Sequence, residues 1–202
     1  MTNCFNGIGA SIQRSCANPL VKGNSSRLLL IDWNDIDAIT IADQKISAIT
    51  LKESAKAIAV ENAVVTPFEG TASASSADDG YRTHTKTLAF RIPERGADVS
   101  KEIVDPLTNS SSGFLAVLEK NDKRGDGSFE VLGYEAGLKV NEDGITQNET
   151  ENGGAIMVTM SSVQNLYAYT LVGAEPTGTA TVYSEAKSVF DTLWAAAKAP
   201  IY

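Results

Sequence analysis

Apolar and polar residues alternate with the period of a β-strand along most of this chain, and with the period of a helix only near its end. The stretch GFLAVLEK beginning at Gly113 is apolar on both faces. Phe114, Ala116 and Leu118 fall on one side, Leu115 and Val117 on the other, which predicts a central strand buried on both sides. A polar turn, NDKRGDGS, carries it into a second strand in which Phe129 and Val131 alternate with Glu130. After a long acidic loop, Ile156, Val158 and Met160 alternate with Thr159 and Ser161 in a third strand. The three strands are expected to form a meander at the heart of an antiparallel sheet.

Earlier in the chain, residues 27–33 (RLLLIDW) predict the first strand, followed by 39–43 and 45–51, where Ile46 and Ile49 break strict alternation and predict a bulge. Residues 57–65 read as a further strand. The clearest alternation runs from 81 to 92, with His84, Lys86, Leu88, Phe90 and Ile92 on one side and Thr83, Thr85, Thr87, Ala89 and Arg91 on the other. Between these two lies 66–80, PFEG followed by TASASSADDG, whose composition predicts a long loop. Val99, Ile103 and Leu107 stand at helical spacing, with Asp98 as the expected N-cap and Pro106 limiting the helix. Residues 166–172 and 177–183 are expected to be strands around the turn GAEPTG. Ser184 is then expected to cap an amphipathic helix over 184–199, with Ala186, Val189, Phe190, Leu193, Trp194 and Ala197 on its apolar stripe. The fold class predicted is mainly β, an antiparallel barrel or sandwich with a short flanking helix and a C-terminal helix. An N-terminal arm over 1–26, rich in Gly, Asn and Ser, precedes a single β-rich domain over 27–202.

Composition removes several functions. The net charge of −8 argues against binding nucleic acid or an anionic membrane through clustered cations. No apolar run reaches the roughly 20 residues a membrane span needs, and no secretory signal is expected at the N-terminus. Cys4 and Cys16 are expected to be reduced structural thiols, and with one histidine they do not form a zinc site by spacing. His84, the single histidine, has no nucleophile motif to serve, so no enzyme, cofactor or metal is expected. Arg124-Gly125-Asp126 in the polar turn is read as chance. Asp122, Asp126 and Glu130 do not match a calcium loop. From 140 to 186 there is no Lys or Arg, while Glu142, Asp143, Glu149, Glu151, Glu175 and Glu185 fall in the same span. The span is either a solvated acidic surface or one that faces a polyanion without holding it.

Residues 66–164 resemble the tail tube proteins of tailed bacteriophages. The resemblance is carried by a long loop ending in GYRTHTKTLAFRI, a short helix over 97–109, and GFLAVLEKNDKRGDGSFEVLGYEAGLKV with its aliphatic–LG–x–x–x–GL core, followed by AIMVTMSSV. The resemblance implies a subunit of stacked hexameric rings in a virion tail, assembled in the host cytoplasm. Its expected partners are other copies of itself and other tail proteins, and DNA passes through its lumen unbound. It further implies inter-ring contact by the 66–80 loop, through Pro67, Phe68, Glu69, Asp78 and Asp79, with the arm against a neighbour. A negative lumen would be lined by acidic residues, with Glu119, Glu130, Glu135 and Glu142 as candidates. The alternatives are another virion part, such as a tail terminator or connector, and a β-sandwich module binding glycan or protein.

Overall fold

The computed structural model describes residues 21–61, 69–76, 82–147 and 154–200, with backbone alone for 69–76 and for 82. Two sheets face one another and a helix covers the outside of the larger. The seven-stranded sheet has the order β2-β3-β11-β8-β7-β1-β4 and the four-stranded sheet the order β5-β6-β10-β9. In chain order the strands are β1 (Asn24–Asp32), β2 (Ile36–Ala42), β3 (Lys45–Leu51), β4 (Ile58–Glu61), β5 (Glu69–Ser76), β6 (Arg82–Ile92), β7 (Phe114–Lys120), β8 (Phe129–Leu132), β9 (Lys139–Thr146), β10 (Ile156–Gln164) and β11 (Tyr169–Leu171). The helices are α1 (Ala97–Val99), α2 (Asp105–Asn109) and α3 (Val182–Ala195), with a π-helical turn Ser100–Val104 joining the first two. Pairing is antiparallel except between β11 and β3. The architecture is a β-sandwich, as the pattern predicts; the sheets do not close into a barrel.

The doubly apolar strands explain the layering. In β1, Leu28 and Leu30 face the four-stranded sheet while Leu29 and Ile31 face the helix side, and β7 divides in the same way. The inner core joins Leu28, Leu30, Ala116 and Leu118 to Leu88, Phe90, Val158 and Met160. The outer core joins Leu29, Ile31, Leu115, Val117, Phe129 and Val131 to Ala186, Phe190 and Leu193 of α3. Each of these side chains larger than alanine contributes about 1.5–3 kcal/mol by leaving water.

Several expectations are corrected. The 66–80 segment is not one long loop: Glu69–Ser76 forms β5, paired along its length with β6. The acidic loop after 138 contains β9, which pairs with β10 through a register shift. The expected meander is split, because β7 and β8 lie in the large sheet and β10 in the small one. Residues 177–183 are not a strand. Thr181, and not Ser184, is the N-cap of α3; it accepts from the Ser184 amide while Ser184 returns a bond to the Thr181 backbone. Helical structure begins after Gly96 and not at an Asp98 cap, and it continues past Pro106 to Asn109. The π-turn accounts for this, since a widened turn accommodates a proline that would clash in a regular helix. The bulge in the second strand pair is present, between Thr40 and Ile41.

Candidate assembly surfaces and buried charge clusters

The LGYEAGL stretch is the crossover from the large sheet to the small one. Leu138 exchanges two backbone hydrogen bonds with Phe114, at 2.8 and 2.7 Å, and its side chain is buried in the inner core. To reach that bridge the chain turns between Gly133 and Gly137, closed by the Gly137 amide donating to the Gly133 carbonyl at 3.0 Å. Both glycines have φ near +70 to +80° and lie against backbone. A Cβ at Gly137 would stand 2.3 Å from the Ser112 carbonyl oxygen, and one at Gly133 would stand 2.5 Å from that of Phe114. The spacing L-G-x-x-x-G-L therefore has a physical cause: two glycines permit the turn and two leucines anchor it in the core. Trp33 Nε1 donates to the Gly133 carbonyl at 2.9 Å, which ties β1 to the same crossover.

Of the four acidic residues considered for a lumen, the structure removes two. Glu119 is 1% exposed, on the helix side of β7. Its Oε2 accepts from Arg27 Nε at 3.1 Å and Nη2 at 2.8 Å, and its Oε1 accepts from the Tyr183 hydroxyl at 3.2 Å. Arg27 also donates to Asp191 of α3 at 2.8 Å and lies 5.1 Å from the centroid of the Phe190 ring. The cluster clamps the helix on the sheet. Burial lowers the Arg27 pKa, but the bonds to Asp191 and Glu119 outweigh it and hold the guanidinium above its ordinary value. Glu130 lies between the sheets, bonded to Lys86 at 3.1 Å and Lys120 at 2.6 Å. Burial would raise its pKa; the two ammonium groups outweigh that and hold it below the ordinary carboxylate value.

Glu135 is exposed but committed. It accepts from the Asn165 amide and side chain, from the Leu166 amide, and from the Tyr169 hydroxyl at 2.5 Å, fixing the turn between β10 and β11. Glu142 alone of the four is exposed and makes no hydrogen bond or ion pair among the described residues; it lies on β9, an edge of the small sheet. Glu69 opens β5 on the opposite edge. Pro67, Phe68, Asp78, Asp79, Cys4, Cys16 and the arm up to residue 20 lie outside the described residues.

Two features were not recognised from the sequence as functional. In the alternation Lys86 shares a side with Leu88, Phe90 and Ile92, which the structure turns toward the core, and a lone ammonium among apolar residues is the signal for a buried partner. The aromatic group Trp33, Tyr134 and Tyr169 had no signal, because those residues are far apart in the chain. It borders an open, shallow cavity of about 200 Å³ lined by Trp33, Ser112, Glu135, Ala136 and Gly137. Among the described residues no cluster of side chains suits a metal ion, and no helix is long and apolar enough to cross a membrane.

Thr83, Thr85, Thr87 and Ala89 of β6 lie beside Thr159 and Ser161 of β10, partly exposed and with no helix packed over them among the described residues. Both flanking strands, β5 and β9, have one side unpaired among the described residues.

No family model, no curated protein and no solved structure matches this chain.

Proposed function

We propose that this protein is a structural subunit of the phage tail-tube class, forming stacked rings whose lumen conducts DNA. The observation that carries the reading is the small sheet: four strands, one face packed on the core, the other with no element packed over it among the described residues, and at each edge a strand with one side unpaired among those residues. An edge of this kind favours pairing with another chain. A contact between β5 of one copy and β9 of the next is head to tail, and such contacts close into a ring when the rotation between copies is a whole fraction of a turn with no rise. Six copies would supply a 24-stranded barrel. At about 4.8 Å between strands and a tilt near 40°, its backbone diameter is roughly 48 Å, wide enough to pass a duplex.

In this reading the wall is chiefly threonine and serine. DNA slides because the wall offers neither clustered cations nor an acidic lining, and Glu119 and Glu130 take no part in it. A second reading, a glycan- or protein-binding module, is favoured by the aromatic group beside the shallow cavity.

Negative-stain electron microscopy across a concentration series, paired with light-scattering mass, separates the two. Rings or hollow tubes with six-fold end views are expected. A protein that stays monomeric at every concentration and binds glycan would replace the first reading with the second.

A further inference from the structure

The inner core is apolar along most of β6 and β10 and then changes character. Beyond Leu88 and Met160, the residues facing the large sheet are Lys86, Ser162 and Gln164, with His84 opposite Gln164 at the end of the row and its ring edge-on to Tyr167. Lys86 is 3% exposed, Ser162 5% and Gln164 1%. The hydroxyl of Ser162 and the amide oxygen of Gln164 are buried with no hydrogen-bond partner among the described residues. Buried polar atoms are satisfied in nearly all folded proteins, so two orphans on one face of one strand point to a missing partner.

Counting donors and acceptors defines that partner. The Gln164 amide nitrogen donates to the Leu166 carbonyl at 2.7 Å and the Tyr167 carbonyl at 3.2 Å. Its orientation is thereby set, and the orphaned Oε1 needs a donor. Each Glu130 oxygen accepts from one ammonium, Oε1 from Lys86 and Oε2 from Lys120. Lys86 has three N–H groups. One meets Glu130, and the ammonium sits 4.3 Å from the centroid of the Tyr167 ring, which leaves at least one N–H for another acceptor. The partner must therefore donate to Gln164, accept from Lys86 and exchange a bond with Ser162. An anion with no O–H or N–H cannot donate to Gln164. A metal cation would be repelled by the Lys86 ammonium.

We infer that a buried water molecule occupies this seam, bridging Gln164 Oε1, Ser162 Oγ and Lys86 Nζ beneath the 165–167 turn. Water meets all three requirements at once and makes the two to four bonds usual for an internal site. The two sheets are then joined here by a hydrated polar seam and elsewhere by apolar contact.

The test is an atomic-resolution crystal structure of the full chain, with nuclear Overhauser measurements between water and amide protons in solution. The expected result is a water within hydrogen-bonding distance of Gln164 Oε1 and of Ser162 Oγ or Lys86 Nζ. In solution, a long-lived water should contact the amides of residues 162–164, and that signal should be lost in a folded Lys86→Met variant. A crystal structure in which Lys86 Nζ bonds Gln164 Oε1 directly would overturn the inference, as would the absence of any long-lived water contact in the unaltered protein.

Discussion

The two sheets are built from different sequence patterns, and they are covered differently. The seven-stranded sheet is packed on both faces, by the small sheet and by α3. The four-stranded sheet is packed on one face and presents hydroxyls on the other. The large sheet needs strands that are apolar throughout, as in β1 and β7. The small sheet needs strands apolar at every second position, as in β6 and β10. Among the described residues no element covers this hydroxyl-rich face, which carries Arg91 and Lys139 as isolated cations, and its place between two open edges supports its use in assembly.

The largest expected effect comes from breaking the crossover that holds the sheets together. Gly137→Val would press a side chain into the Ser112 carbonyl at a positive φ, and should lower stability by about 4 kcal/mol or more in urea denaturation, or abolish folding. A loss below about 1 kcal/mol would mean that the turn is not under constraint.

The two buried clusters sharpen the comparison next. Glu119→Ala leaves Arg27 with Asp191 as its one remaining carboxylate and takes away the acceptor of the Tyr183 hydroxyl, and should cost about 3 kcal/mol. Glu130→Ala leaves Lys86 in the hydrated seam, where water can still solvate it, and should cost less, about 1–2 kcal/mol. The reverse order would place the weaker joint on the helix side.

Smaller effects are expected from pH. Burial raises the carboxyl pKa of Glu130, Glu135 and Asp191, but their partners outweigh it and each is held below its ordinary value. Their folded pKa values lie below the unfolded ones. The stability they contribute is therefore present above about pH 4.5 and is lost as the pH falls through the folded values. Tyr169 is the opposite case. Burial and its bond to Glu135 raise its pKa, so its contribution is complete below about pH 10 and is lost as the pH rises beyond that. Thermal unfolding across pH should show both limbs, and Tyr169→Phe should remove the alkaline one while costing about 1 kcal/mol at neutral pH.

The smallest effect on stability, with a large one on assembly, is expected at the β5 edge. Proline placed separately at Ser73 and at Ala74 removes one N–H that points into the ladder with β6 and one that points away from it. The variant that loses the outward N–H should keep its melting temperature and fail to form rings. If both variants assemble, the β5 edge is not the contact.

What could be read from the sequence follows the same division. β1, β7, β6 and β10 were legible because their cores leave a period of one or two residues. β5 was hidden because EGTASASS contains no large apolar residue; it is held by backbone pairing to β6. β9 was hidden because its inward residues, Val140 and Ile145, are out of step across a bulge at Gly144, whose Cβ position meets the Thr159 carbonyl. Sheet membership could not be read at all, since a strand's pattern states that it has a buried face and not which neighbour buries it. Glu119 and Glu130 looked like free acids because their partners, Arg27 and Lys86, lie far away in the chain.

The most direct test of the central claim, that the small sheet is the assembling face, is hydrogen–deuterium exchange compared between the monomer and the assembled protein. The account predicts that amides of β5 and β9 gain protection on assembly while those of β2 and β4, the edges of the large sheet, do not. Protection gained in β2 and β4 with none in β5 and β9 would contradict it.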